Sequence, residues 1–186
     1  AGPSPPHAYL LAGPQGVGKA TAAARLAQTV NCIGGAPPCG ECGQCRRIAA
    51  GIHAGVLTVS VRPGEEGPQH KAISVDQMRD VQQAVALNPF EGRNRVVVVD
   101  PADAMTPGAQ NAFLKTLEEP PPHVFFVLIT SAEEALLETV HSRCWRVEFR
   151  LVRLRRIEQA LRDRGVEEGP AGLLARLSQG RPGWAR

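Results

Sequence analysis

The sequence predicts an α/β fold, with a parallel sheet lying between helices and a small helical segment following it. Three observations carry that prediction. A short apolar strand runs into a glycine-rich loop and then an alanine-rich helix, the context in which a glycine pattern becomes a nucleotide-site candidate. Two later runs, "VVVV" (96–99) and "FFVLI" (125–129), are apolar without alternation, as expected of strands covered on both faces. Beyond Leu151 no strand pattern recurs and two short helices close the chain.

The elements follow in order. "AYLLAG" (8–13) is the first strand and "KATAAARLAQTV" (19–30) the first helix. A cysteine segment from Cys32 to Cys45 comes next, closed by a helical turn in "RRIAAG" (46–51). "VLTVS" (56–60) alternates weakly and reads as the second strand, and "RPGEEGPQ" (62–69) is a surface loop by composition. In "SVDQMRDVQQAVAL" (74–87), Ser74 and Gln77 form a capping box, while Val75, Met78, Val81 and Val85 recur at helical spacing. "NPFEGRN" (88–94) turns the chain into the strand "RVVVVD" (95–100). Thr106 caps a helix with Pro107 at its first position; Phe113, Leu114 and Leu117 are its buried stripe, and prolines 120–122 end it. "VFFVLIT" (124–130) is the fourth strand, "SAEEALLETV" (131–140) a helix, and "WRVEF" (145–149) a fifth strand. "RLRRIEQALRDRG" (153–165) and "AGLLARLSQG" (171–180) are the closing helices.

A length of 186 residues suits one ordinary domain with a small appendage, and 43% hydrophobic with 21% charged residues is a globular composition. The longest apolar runs are too short to span a bilayer and no charged-then-apolar leader precedes them, so the expected location is cytoplasmic. "AGPSPP" (1–6) reads as the loose end of a longer chain. The net charge of +3 is unevenly spread: residues 1–140 carry 10 basic and 13 acidic groups, residues 141–186 carry 11 arginines against 5 acids. That basic end is either a solvated helical face or a surface turned toward a polyanion or an acidic neighbour.

The chemistry concentrates in three places. Gly13-Pro14-Gln15-Gly16-Val17-Gly18-Lys19 matches the phosphate-loop pattern G-x-x-x-x-G-K. Its glycines let backbone amides turn toward phosphate oxygens, the following helix adds its positive end, and Lys19 adds a point charge. The residue after Lys19 is Ala20, where a magnesium-binding hydroxyl belongs, and Thr21 comes one position late. The third strand ends in Asp100, an acid placed near the metal in such sites, but Pro101 follows it where a water-polarising carboxylate is needed. Asp103 is expected to bond within its own loop or cap it. These features favour binding of ATP or ADP over hydrolysis and leave magnesium coordination in doubt; the bland alternative is a loop kept only for packing.

Cys32, Cys39, Cys42 and Cys45 are spaced C-x6-C-x2-C-x2-C, which suits four thiolates around one ion and, within 14 residues, favours a metal over a disulfide framework. Zinc in a structural role is the preferred reading, with an iron–sulfur cluster or unliganded thiols as alternatives. Cys144 is expected to be a core thiol. His7, His53, His70, His123 and His141 occupy no ligand spacing and read as surface or packing residues. Trp145 and Trp184 are core or interface candidates.

Together, "HAYLLAGPQGVGK", "CIGGAPPCGECGQC", "NPFEGRNRVVVVDPADAMTPGAQNAFLKTLEEPP" and "SRC" (142–144) resemble the bacterial clamp-loader family, the AAA+ subunits of the DNA polymerase III holoenzyme. The pieces look more like its delta-prime subunit than its gamma/tau ATPase. The resemblance implies a five-stranded AAA+ core over 1–150 with an inserted zinc module at 32–45, a helical lid over 151–186, and a collar domain that is not in this chain. It places Gly13, Pro14, Gly16, Val17, Gly18, Lys19, Ala20 and Thr21 at the nucleotide, and Asp100 at the Walker B acid. It puts Thr130 near sensor 1, the four cysteines on zinc, and Arg143 as an arginine finger for a neighbouring subunit. Gly183 stands where an active ATPase of the family is expected to carry its sensor-2 arginine. The implied partners are gamma/tau and delta subunits in a hetero-pentamer that loads the sliding clamp on primed DNA, with no membrane involved. A gamma/tau-like ATPase and a zinc-containing scaffold without nucleotide are the competing functions.

Overall fold

The computed structural model describes residues 5–61, 72–86 and 92–185. The loop expected at "RPGEEGPQ" and the first part of the "NPFEGRN" turn lie outside the described residues.

Five strands form one parallel sheet: β1 (Ala8–Ala12), β2 (Val56–Val59), β3 (Arg95–Val99), β4 (Val124–Thr130) and β5 (Trp145–Glu148). Their spatial order is β2-β3-β4-β1-β5, so β1 sits between β4 and β5, with Leu10 opposite Leu128 and Arg146. The chain leaves β1 toward one edge, through α1 (Lys19–Asn31) and α2 (Gly43–Ala49), and returns later to add β5 on its other side. The carboxyl ends of such strands, where the order reverses, are where an open α/β sheet opens its crevice.

The apolar runs divide by the two-residue period of a strand. Val96, Val98, Val127 and Ile129 face α1 and α2, where Ala23, Ala27 and Ile48 complete one core layer. Val97, Val99, Phe126 and Leu128 face the other way, toward α3 (Val75–Ala86) and α4 (Pro107–Glu118). There Phe113 packs edge-on against Phe126 with ring centroids 5.1 Å apart. Both expected caps form: Ser74 Oγ accepts from Gln77 N–H at 3.3 Å while Gln77 Oε1 accepts from Ser74 N–H at 3.2 Å. Thr106 Oγ1 accepts from Ala109 N–H at 3.2 Å.

One reading is corrected and another is narrowed. "SAEEALLETV" is not one helix; it breaks into a single turn at Glu133–Ala135 and the short α5 (Glu138–His141). Leu136 is drawn into the core beside α4, and the buried side chain of Gln110 supplies the bonds a continuous helix would have made internally. Its amide donates to Ala135 O at 3.1 Å and accepts from Leu137 N–H at 2.7 Å. Trp145 and Trp184 are 63% and 55% exposed, so neither is a core residue. Cys144 does pack against the core, and burial pushes its thiol up to about 12.

The closing helices, α6 (Leu154–Arg162) and α7 (Glu168–Leu177), pack on each other through Ile157, Leu161, Ala171 and Ala175, with Ala185 completing a cluster separate from the sheet's two layers. Among the described residues no helix is long and apolar enough to cross a membrane.

Candidate functional site

The loop between β1 and α1 turns on glycines. At Gly13 the backbone φ is 144°, and a Cβ there would come within 2.1 Å of the Phe149 carbonyl oxygen, so no side chain fits where the loop leaves the sheet. Gly18, in the left-handed region at φ 105°, is the N-cap of α1 and offers no side chain to occupy the free N–H groups of the first turn. Those N–H groups and the helix's positive end are suited to an anion.

Lys19 is buried at 6% exposure, and its ammonium donates to Gly13 O at 2.5 Å and Pro14 O at 2.7 Å. Burial holds its pKa below the ordinary lysine value, against the opposing charges of Asp100 and Asp103. Asp100, at the end of β3, is pushed up by burial, drawn down by Lys19 and raised again by Asp103. A cavity of about 720 Å³ opens here. Its sheet side is lined by Gly16, Gly18, Lys19, Ala20, Thr21, Asp100 and Pro101, and its far side by Leu161 of α6, by Arg164 just after that helix, and by Pro182 and Gly183.

Thr130 lies at the end of β4 behind this cavity, 1% exposed. Its hydroxyl donates to Asp103 Oδ1 at 2.6 Å, and Ser131 N–H donates to the same oxygen at 3.1 Å. The expectation that Asp103 serves only its own loop is therefore corrected: it ties the segment after β3 to the end of β4. Arg25 and Arg164 also line the cavity and were not singled out in the sequence, since neither sits in a recognisable spacing.

Arg143 is not among the cavity's lining residues. Its guanidinium donates to Thr139 O at 2.8 Å and pairs with the Glu118 carboxylate. Glu118 is the partner rather than Glu138 or Glu148, which are nearer in sequence, because α4 and α5 pack together and bring Glu118 alongside. Glu148 is taken by Arg150 at 2.8 Å, and Arg146 forks onto Glu133 at 2.6 and 2.9 Å.

The four cysteines converge. Their sulfurs all lie within 4.8 Å of one another, with Cys39 Sγ 4.0 Å from Cys45 Sγ. Tetrahedral thiolates around zinc stand about 3.8 Å apart, so this donor set needs little adjustment to hold one ion. Backbone N–H groups point at the sulfurs: Gly34 and Cys39 donate to Cys32 Sγ, each at 3.4 Å, and Cys42 N–H donates to Cys39 Sγ at 3.3 Å. α2 begins inside the motif, earlier than expected, since Cys42 Sγ caps it through Cys45 N–H at 3.5 Å. Hydrogen bonds from Cys45 and Ile33 bring the Cys42 thiol down to about 6, whereas burial pushes Cys45 up to about 12. A bound cation would favour the thiolate at both. Gln28 of α1 donates to Cys45 O at 2.8 Å and fastens the cluster to the main fold.

The family model for "DNA polymerase III, delta subunit" matches residues 3–153. The chain belongs to this family of DNA polymerase III clamp-loader subunits. It is 35% identical over 173 residues to the DNA polymerase III subunit delta' of Bacillus subtilis (strain 168), covering 92% of this chain and 50% of that protein. It is also 35% identical over 184 residues to the subunit tau of the same strain, covering 94% of this chain and 31% of that protein. Among solved structures, the Thermotoga maritima RuvB Holliday junction branch migration motor aligns with a TM-score of 0.60 at 20% identity, over 96% of this chain and 51% of that one. That likeness concerns the AAA+ fold. The chain thus spans between about a third and a half of the two curated relatives' lengths.

Proposed function

We propose that this chain is the AAA+ part of a delta-prime-like clamp-loader subunit that holds ATP or ADP with little or no turnover. The observation that carries the reading is a mismatch inside one cleft. The phosphate cradle is complete through the buried Lys19, while Ala20 and Pro101, which line the same cavity, offer no side-chain oxygen for magnesium or attacking water. Binding requires Lys19 to exchange two carbonyl partners for phosphate oxygens, and Arg25 and Arg164 add positive charge to the walls.

In this reading residues 1–150 form the AAA+ core and 151–186 the lid, and Cys32, Cys39, Cys42 and Cys45 hold a structural zinc ion. Asp100 takes the Walker B place and Thr130 the neighbourhood of sensor 1. Arg143, which does not line the cavity of its own chain, serves as an arginine finger for the nucleotide of a neighbouring subunit. The partners are gamma/tau and delta subunits, and through them the sliding clamp and primed DNA, in the cytoplasm. The similar identity to tau supports a second reading, an ATPase that coordinates magnesium through Thr21 or water. Calorimetric titration of the full-length protein with ADP and ATP, followed by a turnover assay with magnesium, separates the two. Saturable binding without turnover is the expected result. Magnesium-dependent turnover by the subunit alone supports the ATPase, and no binding at millimolar nucleotide leaves a zinc-containing scaffold.

A further inference from the structure

The turn that follows α7 does more than end the helical segment, because it closes on the phosphate loop through main chain. Gly183 N–H donates to Gly16 O at 2.8 Å. The two backbones meet without room for side chains: a Cβ on Gly183 would stand 3.0 Å from Gly16 O. A Cβ on Gly16 would stand 3.0 Å from the Trp184 indole and 3.1 Å from Arg181 Cβ. The turn itself is braced. The Arg181 guanidinium lies 4.4 Å from the Trp184 ring centroid, Ala185 is buried among α6 and α7, and Gly180 O accepts from Val152 N–H at 2.8 Å.

We infer that this turn is a main-chain brace for the phosphate loop, with Gly183 as a positioning residue. A trans peptide points its carbonyl and its N–H in opposite directions. Holding Gly16 O from the Gly183 side therefore fixes the plane of the Gly16–Val17 peptide and turns Val17 N–H away from the turn. The same hydrogen bond polarises that N–H and strengthens it as a donor. A loop with glycines at 13, 16 and 18 has many unbound conformations, and narrowing them lowers the ordering cost of ligand binding. Position 183, where the family resemblance leads one to expect an arginine reaching the nucleotide by its side chain, here acts on the loop by its backbone. The brace stands on geometry alone; its effect on nucleotide rests on the binding reading above.

Hydrogen exchange of the full chain tests it, with peptides covering residues 13–18 compared among wild type, Gly183→Ala, Gly183→Val and Gly169→Ala. Gly169 has open space around its Cβ position and serves as the control within the same helical segment. The loop amides are expected to exchange faster in Gly183→Ala and faster again in Gly183→Val, by roughly five- to tenfold, the worth of one lost hydrogen bond. Strand amides and Gly169→Ala should match wild type. In a Trp145→Phe background, Trp184 emission should shift to the red as the indole leaves Gly16. Unchanged loop exchange in a folded Gly183→Val protein overturns the brace, as does an equal rise in Gly169→Ala. An ADP titration then separates the two levels. If wild type binds ADP, Gly183→Val should bind more weakly by a similar factor, and equal affinity overturns the positioning role. If wild type binds no ADP, the nucleotide reading fails while the exchange result still decides the brace.

Discussion

The cysteine cluster and the phosphate cleft sit at opposite ends of α1 and are built in opposite ways. All four cysteines come from one stretch of 14 residues, and their donors are set by turns and backbone N–H groups within it. The cleft draws on the loop after β1, the ends of β3 and β4, and residues beyond α6 and α7, so it exists only when the whole chain is folded. With the zinc ion proposed for it, the local site would stand or fall with that ion. A distributed site stands or falls with the packing that assembles it.

The strongest attempt to break that contrast is metal removal. Chelation, or Cys39→Ser, should abolish stoichiometric zinc and expose the amides of residues 32–49 while β1, β3 and β4 stay protected. The thermal midpoint should drop, on the order of 5–10 °C, as a local metal-coupled unit is lost. Hydrogen exchange with metal analysis reads both, and loss of protection across the sheet would show that the cluster is not a local unit.

Lys19→Ala is the matching test of the cleft. It removes the buried ammonium and should weaken ADP binding roughly 10- to 100-fold, the range of a charge-assisted contact, with zinc content unchanged. A simultaneous loss of zinc would join the two sites after all.

Arg143→Ala should be milder within the subunit, since its pair with Glu118 is half-exposed and worth at most about 1 kcal/mol. If the proposed finger role holds, ATP turnover of the assembled loader should nevertheless fall in part, because one adjoining site would lose a charge-stabilising group. Unchanged turnover in a fully assembled complex leaves Arg143 as a tie between α4 and α5.

The smallest effect concerns Asp100, whose pKa is raised above its ordinary 3.8 chiefly by burial. A raised acid stabilises the fold when protonated, so its contribution is complete below pH 3.8 and is lost as pH rises through the folded value. Asp100→Asn should therefore raise the thermal midpoint slightly at pH 7 and leave it unchanged well below pH 3.8. A fall at pH 7 would mean that its attraction to Lys19 outweighs its burial.

Much of this is legible in the sequence alone, where a short span of residues contains the whole cause. The doubly buried strands, the caps at Ser74 and Thr106, the phosphate loop and the four-cysteine spacing each depend on neighbours within a few residues, so periodicity and spacing reveal them. Readings went wrong where a distant group supplied the missing bond. "SAEEALLETV" has the composition of a helix, yet Gln110, 21 or more residues earlier, offers its amide to the backbone and Leu136 gains a core site by breaking the turn. Arg143 takes Glu118 rather than a nearer acid, and Asp103 serves Thr130 rather than its own loop, for the same reason.

By itself, then, the sequence determined the α/β alternation, the glycine loop that ends in Lys19 without a hydroxyl after it, and the four-cysteine cluster, because hydrophobic period, turn chemistry and residue spacing act over one element at a time. Only the tertiary structure decided that β1 lies between β4 and β5, that Asp100 faces a buried Lys19, and that Gly183 closes on Gly16. Those contacts join residues from 81 to 167 positions apart, and a hydrogen bond or a buried charge pair at that separation is set by how the layers pack, which no local pattern encodes.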